Sequence, residues 1–495
     1  MLFNSFEFLV FFPLVTAAYF LAPHRYRTTL LLFSSCVFYM WFIPSYILVI
    51  GTTIVVDYLA AIGMARTKGR SRWWLLVGSI FSTCLILFIF KYFNFFDSSL
   101  ATAARVFGWN YPKHVLDVML PVGLSFHTFQ SLSYVIEVYR GNQKAERNFL
   151  TYSLYVMFFP QMVAGPIERP QNLLHQFKEK HEFKYVNAVE GLRLILWGLI
   201  QKIAVADWLA APANYVFENP RSFDSGLPII IGTFCFALQI YCDFSGYSNI
   251  ARGCAQVLGF NLMKNFDQPY MAQNISEFWR RWHISLSTWF KDYLYIPLGG
   301  GRVGILRRCL NLLIVFGISG LWHGANWTYV IWGLLNGAYL SVAVVRGRLA
   351  ERFGIFRRLS FATPTLFKQL TTFTLIGLSW IFFRARTVDD AFYMLTRLTS
   401  GWGALVQNLL HKGKGFIFDQ TLFGLWFGMG SSELLRYLGL GLIFLTIEYY
   451  FWKHPIGEVF NRTNRPVRWT VYTFAAWYLI VFGNFHEERF IYFVF

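Results

Sequence analysis

Ten histidines lie in this chain of 495 residues. Seven fall in loops or at segment ends, while His127, His283 and His323 stand within apolar runs. An ionisable side chain at membrane depth is costly, so each of the three is a functional candidate. His323 is the strongest. It sits between Trp322 and Gly324, at a break between two short apolar segments. Trp322 offers an aromatic wall, and Gly324 allows backbone or ligand to approach closely. A neutral imidazole can take a proton from a hydroxyl near pH 7. The competing reading is a histidine satisfied by a neighbouring helix.

The stretch from Glu277 to Tyr293 is too polar to span a bilayer and too aromatic for an ordinary loop. As one interfacial or re-entrant helix it places Trp279, His283 and Ser287 on one face at i, i+4 spacing. Arg280 and Arg281 then stand available for an anionic group. A lipid-headgroup anchor is the alternative for the arginines, and a Ser287/His283 nucleophile pair is a further option. Asp243 ends an apolar span. It is suited to orienting a histidine, to binding a substrate hydroxyl, or to pairing with an arginine. No G-x-S-x-G elbow or Walker A loop occurs, so serine-hydrolase and nucleotide-driven pump readings lose their support. The six cysteines form no C-x-x-C pair, and neither a metal site nor a disulfide framework is expected.

The elements that must position these residues are membrane spans. Hydrophobic residues make up 56% of the chain, aromatic residues 20% and charged residues only 14%. A soluble fold of this size cannot hide that much apolar surface, whereas a bilayer can. The net charge of +18 comes from short basic clusters between apolar runs. That is the pattern of cytoplasmic loops, and it argues against nucleic-acid binding. Apolar runs near 6–22, 28–43, 45–65, 73–93, 115–139, 151–165, 188–209, 227–246, 309–321, 326–345, 368–383, 434–452 and 467–483 predict an all-α polytopic membrane protein of about 11 to 13 helices. The runs at 151–165 and 309–321 are too short to cross alone and predict half-helices or re-entrant segments.

The basic clusters also orient the chain. Arg25 and Arg27, the cluster 66–72, Arg140 to Arg147, and the clusters 302–308, 346–358 and 453–468 fall on the cytoplasmic side. The N-terminus and the C-terminus then lie outside, and the first span carries its charge on the wrong side for a cleaved signal peptide. The turn carrying His323 falls toward the outer half of the bilayer. Segment 384–430 reads as a non-spanning extracytoplasmic stretch, and the whole chain reads as one integrated domain.

Taken together, the motifs resemble those of the membrane-bound O-acyltransferase family, in its bacterial alginate and peptidoglycan O-acetyltransferase membrane-subunit branch. They are Leu120-Pro-Val-Gly-Leu-Ser-Phe with Gln130 and Tyr134 to Gly141; Phe158 to Ile167; Asp243-Phe-Ser-Gly-Tyr247; Phe278-Trp-Arg-Arg-Trp-His283 with Pro297-Leu-Gly-Gly300; Leu321-Trp-His-Gly-Ala-Asn326; and the tail Phe490 to Phe493. His127, Asn249 and Arg252 depart from the usual pattern. The resemblance implies a ring of helices around a central tunnel. It implies a cytoplasmic thioester donor, acetyl-CoA or another acyl carrier, and an acceptor hydroxyl arriving from the periplasm. It casts His323 and His283 as the catalytic pair. Trp322, Asn326, Asp243, Arg280, Arg281, Trp279 and Ser287 then line the tunnel or orient groups. It further implies the bacterial inner membrane, contact with membrane lipid, and a periplasmic acetyltransferase or polysaccharide-modifying partner protein. Three rivals remain at this point: a transporter of acyl groups or small solutes, a scaffold subunit of an exopolysaccharide machine, and a lipid-modifying acyltransferase.

Overall fold

A computed structural model describes residues 1–163, 165–223, 225–353, 364–403, 431–454 and 456–483. Among these residues the chain is helical and contains no strand. Among the described residues seven helices are long and apolar enough to cross a membrane: Pro44–Arg66, Gly69–Val106, Tyr185–Glu218, Gly226–Val257, Ile305–His323, Trp327–Glu351 and Thr365–Arg384. The first apolar run forms the shorter helix Phe6–Leu21. With lipid unable to satisfy backbone groups, closed helical hydrogen bonding is what such sequences require. The tail Phe490 to Phe493, the part of segment 384–430 beyond residue 403 and the end of cluster 346–358 lie outside the described residues.

The chain divides into two compact units. The first comprises residues 1–198 and 247–264. Its helices are α1 (Phe6–Leu21), α2 (His24–Met40), α3 (Ile47–Arg66), α4 (Gly69–Leu87), α5 (Phe93–Val106), α6 (Leu124–Arg140), α7 (Phe149–Met157), α8 (Phe159–Met162), α9 (Pro170–Leu173) and α10 (Tyr185–Leu199). Two expected spans differ here. The run 115–139 becomes helical only at Leu124, because Gly123 turns the chain at φ 76°. A Cβ at Gly123 would stand 2.6 Å from the Met162 carbonyl oxygen, so glycine is required. The run 151–165 is the expected interrupted element. It breaks into α7 and α8 at Phe158, with Asn148 capping α7 through Leu150 N–H at 2.9 Å.

Polar side chains tie α3, α4 and α6 together. The buried Asp57 carboxylate accepts from Ser79 at 2.5 Å and from Thr83 at 3.2 Å. The buried His127 ring hydrogen-bonds Thr53. In low dielectric such bonds specify which faces meet, because an unmet partner is costly.

The second unit comprises residues 199–246 and 265–495. The helix begun by α10 widens into π-helical geometry over Ile200–Ala206 and continues as α11 (Asp207–Glu218). α12 (Gly226–Val257) carries the chain between the units at residues 246 and 247. Then follow α13 (Ile275–Arg281), α14 (Ile284–Phe290), α15 (Ile305–His323), α16 (Trp327–Phe353), α17 (Thr365–Arg384), α18 (Val388–Arg397), α19 (Ser431–Lys453), α20 (Ile456–Arg462) and α21 (Arg465–Phe482). The expected half-helix 309–321 is corrected. α15 has 19 residues, long enough to cross, because it extends back over Arg307 and Arg308.

Helices α15 and α16 form a tight hairpin sealed by glycines. A Cβ at Gly320 would sit 2.2 Å from the Tyr329 carbonyl oxygen, and one at Gly333 would sit 2.1 Å from that of Phe316. Small residues allow membrane helices to approach this closely and gain van der Waals contact that lipid cannot match. The seam fixes the three-residue turn 324–326 that follows His323.

Candidate active site

Three local structures position the site, all within the second unit. The first is the end of α15, where His323 is the last helical residue and is 3% exposed. Its ring stands 4.9 Å from Trp322, 5.0 Å from Trp332 and 5.4 Å from Phe383, centroid to centroid. Trp332 in turn stacks on Trp380 at 5.7 Å. Each such aromatic pair contributes about 0.5–1.5 kcal/mol beyond its burial. His323 is therefore held by a rigid aromatic wall. Gly324 is needed for a different neighbour than the sequence suggests: a Cβ there would run into the Tyr329 ring at 2.1 Å.

The second is the junction of α13 and α14. The expected single helix over this stretch is corrected, because the chain breaks at His283, whose φ is 42°. Trp279, His283 and Ser287 consequently do not share one helical face. Trp279 packs on Phe316 at 4.9 Å and Trp332 at 5.8 Å. Ser287 Oγ donates to the Trp282 carbonyl at 3.1 Å, which removes the Ser287/His283 nucleophile reading. His283 is 1% exposed. Its ring meets Phe244 edge-on at 4.6 Å and lies 6.5 Å from the His323 ring. The two histidines, forty positions apart in sequence, are thus brought together in one buried aromatic pocket, their rings inclined at 63°.

The third is a cavity of about 910 Å³. Trp279, Ser319 and Ser287 line it together with four basic side chains, Arg280, Lys291, Arg308 and Arg348. Ser319 is one helical turn from His323, about 6 Å along α15. Arg308 is 15 residues from His323, about 22 Å along the same axis. The cavity therefore leads from a cationic region at the start of α15 to the neighbourhood of the histidine pair. Arg308 and Arg348 lie at the same end of the α15–α16 hairpin, where the basic-cluster reading places them.

Other expected residues have different partners. Arg281 is engaged by Glu277 at 3.0 Å and Asp267 at 3.3 Å, so it is not available to an anion as expected. Arg280 is the exposed member of the pair and lines the cavity. Asn326 starts α16: its Oδ1 accepts from Thr328 N–H at 3.0 Å, and its Nδ2 donates to the Arg386 carbonyl. Asp243 pairs with Lys202 at 2.8 Å. Lys202 also meets Asp207 at 2.6 Å, which makes a buried cluster of one cation and two carboxylates. Asp243 directly precedes Phe244, so the cluster anchors the helix that presents Phe244 to His283. Lys202 and Asp207 were legible as ionisable residues inside an apolar run.

Sequence reasoning also missed Asn265. Its side-chain Oδ1 lies 3.2 Å from His283 Nδ1 and accepts from Ser285 Oγ at 2.9 Å. It stands in a loop with no motif around it, and only its distance from the histidine identifies it.

Comparison with known proteins identifies the family. A profile described as MBOAT, membrane-bound O-acyltransferase family, matches residues 145–382. The "Probable alginate O-acetylase" of Pseudomonas aeruginosa is 39% identical over 409 residues, covering 81% of this chain and 75% of the relative. The peptidoglycan O-acetyltransferase of Helicobacter pylori is 34% identical over 451 residues, covering 84% and 83%. The teichoic acid D-alanyltransferase of Bacillus subtilis is 24% identical over 300 residues, covering 58% and 71%. This multi-pass membrane protein therefore belongs to the membrane-bound O-acyltransferase family and is an O-acyltransferase.

Proposed function

We propose that this chain takes an acetyl group from a cytoplasmic thioester, acetyl-CoA or an acetylated carrier, and delivers it to a hydroxyl on the extracytoplasmic side. The observation that carries the reading is the cavity, with four basic side chains around it and His323 one helical turn beyond Ser319. A phosphate-bearing donor is drawn to such a region, and the apolar walls accept its thioester arm. The names of the alginate and peptidoglycan relatives supply the acetyl group and suggest a cell-surface polysaccharide as final acceptor. An integrated membrane domain in the bacterial inner membrane, with both termini outside, fits this reading. A periplasmic partner that passes the group to the polymer is part of the proposal.

The chemistry proceeds in one displacement. His323 accepts the proton of the acceptor hydroxyl as its oxygen attacks the thioester carbonyl. The tetrahedral oxyanion collapses, the carbon–sulfur bond breaks, and the thiolate leaves with the proton returned by His323. His283 stabilises the positive charge that develops on the His323 ring. General-base assistance of this kind is worth about 10²–10⁴-fold. Holding donor and acceptor in line contributes about 7–11 kcal/mol more. Trp322 and Trp279 wall the route, and Arg280, Lys291, Arg308 and Arg348 hold the donor's anionic end. Arg281, Asn326, Asp243 and Ser287 support the architecture.

The test is transfer from labelled acetyl-CoA in inside-out vesicles carrying wild-type protein or His323→Ala at matched folded levels. Base-labile label inside the vesicles with wild type alone is the expected result. Equal transfer by both proteins would overturn the mechanism. Uptake of label without any ester product would favour the transporter reading.

A further inference from the structure

The residues around His283 carry more than a location for it. His283 holds a left-handed backbone, which a non-glycine residue rarely adopts without support from its surroundings. Two main-chain bonds bind the turn to the preceding loop. Ile284 N–H donates to the Asn265 carbonyl at 2.8 Å, and Asp267 N–H donates to the Arg281 carbonyl at 2.9 Å. The Asn265 side chain folds over the same turn and is fully buried with it. Its Oδ1 accepts from the Ser285 backbone N–H at 3.2 Å and from Ser285 Oγ at 2.9 Å. It also lies 3.2 Å from His283 Nδ1.

Which atom of the amide faces the turn is settled by Ser285. A backbone N–H can only donate, so the atom opposite it must be the amide oxygen. An amide oxygen can only accept, so His283 Nδ1 must carry the proton. In a neutral imidazole the lone pair then belongs to Nε2.

We propose that Asn265 is a positioning residue that fixes neutral His283 in its Nδ1-protonated form and so makes Nε2 its basic nitrogen. The inference rests on the reading of His283 as half of the catalytic pair. Asn265 itself touches neither donor nor acceptor. The rings that face His283 are Phe244, Phe266, Trp322 and His323. His323 is the titratable group among them, so a change at Asn265 is felt by the pair as a unit.

The experiment is a pH–rate profile for acetyl-CoA-dependent transfer in vesicles of wild type, Asn265→Ala, Asn265→Asp and His283→Ala. Asn265→Ala is expected to lower kcat about 10–100-fold while the KM for acetyl-CoA stays unchanged, as for other partners that orient a histidine. Asn265→Asp keeps an acceptor at Nδ1 and retains most of kcat. Its carboxylate favours the imidazolium, so the acidic limb of the profile moves to higher pH, by about one unit. A purely structural role predicts losses in both variants with the limb unmoved, and that outcome overturns the inference. If His283→Ala transfers at the wild-type rate, the catalytic-pair reading fails first, which separates the two claims. A second measurement needs no variant at Asn265. Solid-state ¹⁵N NMR of histidine-labelled wild type, with the signal assigned by difference from His283→Gln, reads the tautomer directly. A protonated Nδ1 is expected, and a protonated Nε2 with bare Nδ1 overturns the proposal.

Discussion

Each unit of this protein buries ionisable groups inside its helices, and the two make different use of them. In the first unit, Asp57 and His127 are enclosed by hydroxyls from Ser79, Thr83 and Thr53 on packed continuous helices. In the second, His283 and His323 sit at chain breaks, walled by rings, one turn from a cavity with a basic lining. Burial of a titratable group is common to both. What makes a site is the break in the helix, which points a side chain out of the ladder, together with a space for a substrate to enter. His127 as a departure from the family pattern fits this contrast, since it knits α3 to α6.

The largest effect that sharpens the comparison is at the histidines. His323→Ala is expected to reduce transfer about 10²–10⁴-fold with little change in melting temperature. His127→Ala is expected to do the reverse. It removes a buried ring and its hydrogen bond to Thr53, costs about 2–5 kcal/mol of stability, and keeps the activity per folded molecule within about threefold. Parallel thermal-shift and transfer assays read both. If the two variants behave alike, the distinction between the units is wrong.

The next effect tests how the hairpin places His323. Gly333→Leu pushes a side chain into the Phe316 carbonyl and should spread α15 from α16. Transfer is expected to fall about tenfold or more, with a lowered melting temperature, because a displacement of about 1 Å at reacting groups is enough to cost 10²-fold. Wild-type activity in a folded Gly333→Leu protein would show that the seam does not set the site.

Smaller changes are expected at the cavity's cations. Arg308→Ala and Arg348→Ala should each raise the KM for acetyl-CoA about tenfold at low salt, with kcat within about twofold, and the difference should shrink as salt rises. A fall in kcat with unchanged KM would move these residues from donor binding to chemistry. The smallest effect is at the exposed Arg221–Asp389 pair beside α18. Arg221→Ala should cost no more than about 1 kcal/mol of stability and leave transfer unaltered.

Much of this was legible in the sequence. The apolar runs gave the helices, and the spacing of basic clusters anticipated Arg308 and Arg348 at one end of a hairpin. His323 announced itself as an imidazole between tryptophan and glycine. What stayed hidden depended on tertiary contact. No glycine or proline marks the break at His283, because the clasp of Asn265 from a distant loop supports its left-handed backbone. α15 was read short because Arg307 and Arg308 look like a loop, although their long side chains reach polar surroundings from a helix end. The use of Arg281 was misread despite a visible signal, Glu277 one turn earlier at the favoured i, i+4 spacing. Lys202 lay unremarked inside an apolar run where its two carboxylate partners come from Asp207 and Asp243.

The central claim is that the cavity delivers a thioester to the histidine pair. The most direct measurement is a cryo-EM structure of the His323→Ala protein with acetyl-CoA. The account predicts phosphates among Arg280, Lys291, Arg308 and Arg348, and the thioester carbonyl beyond Ser319 within about 3–4 Å of the space vacated by the imidazole. Donor density elsewhere in the chain, with this cavity occupied by lipid, would contradict it.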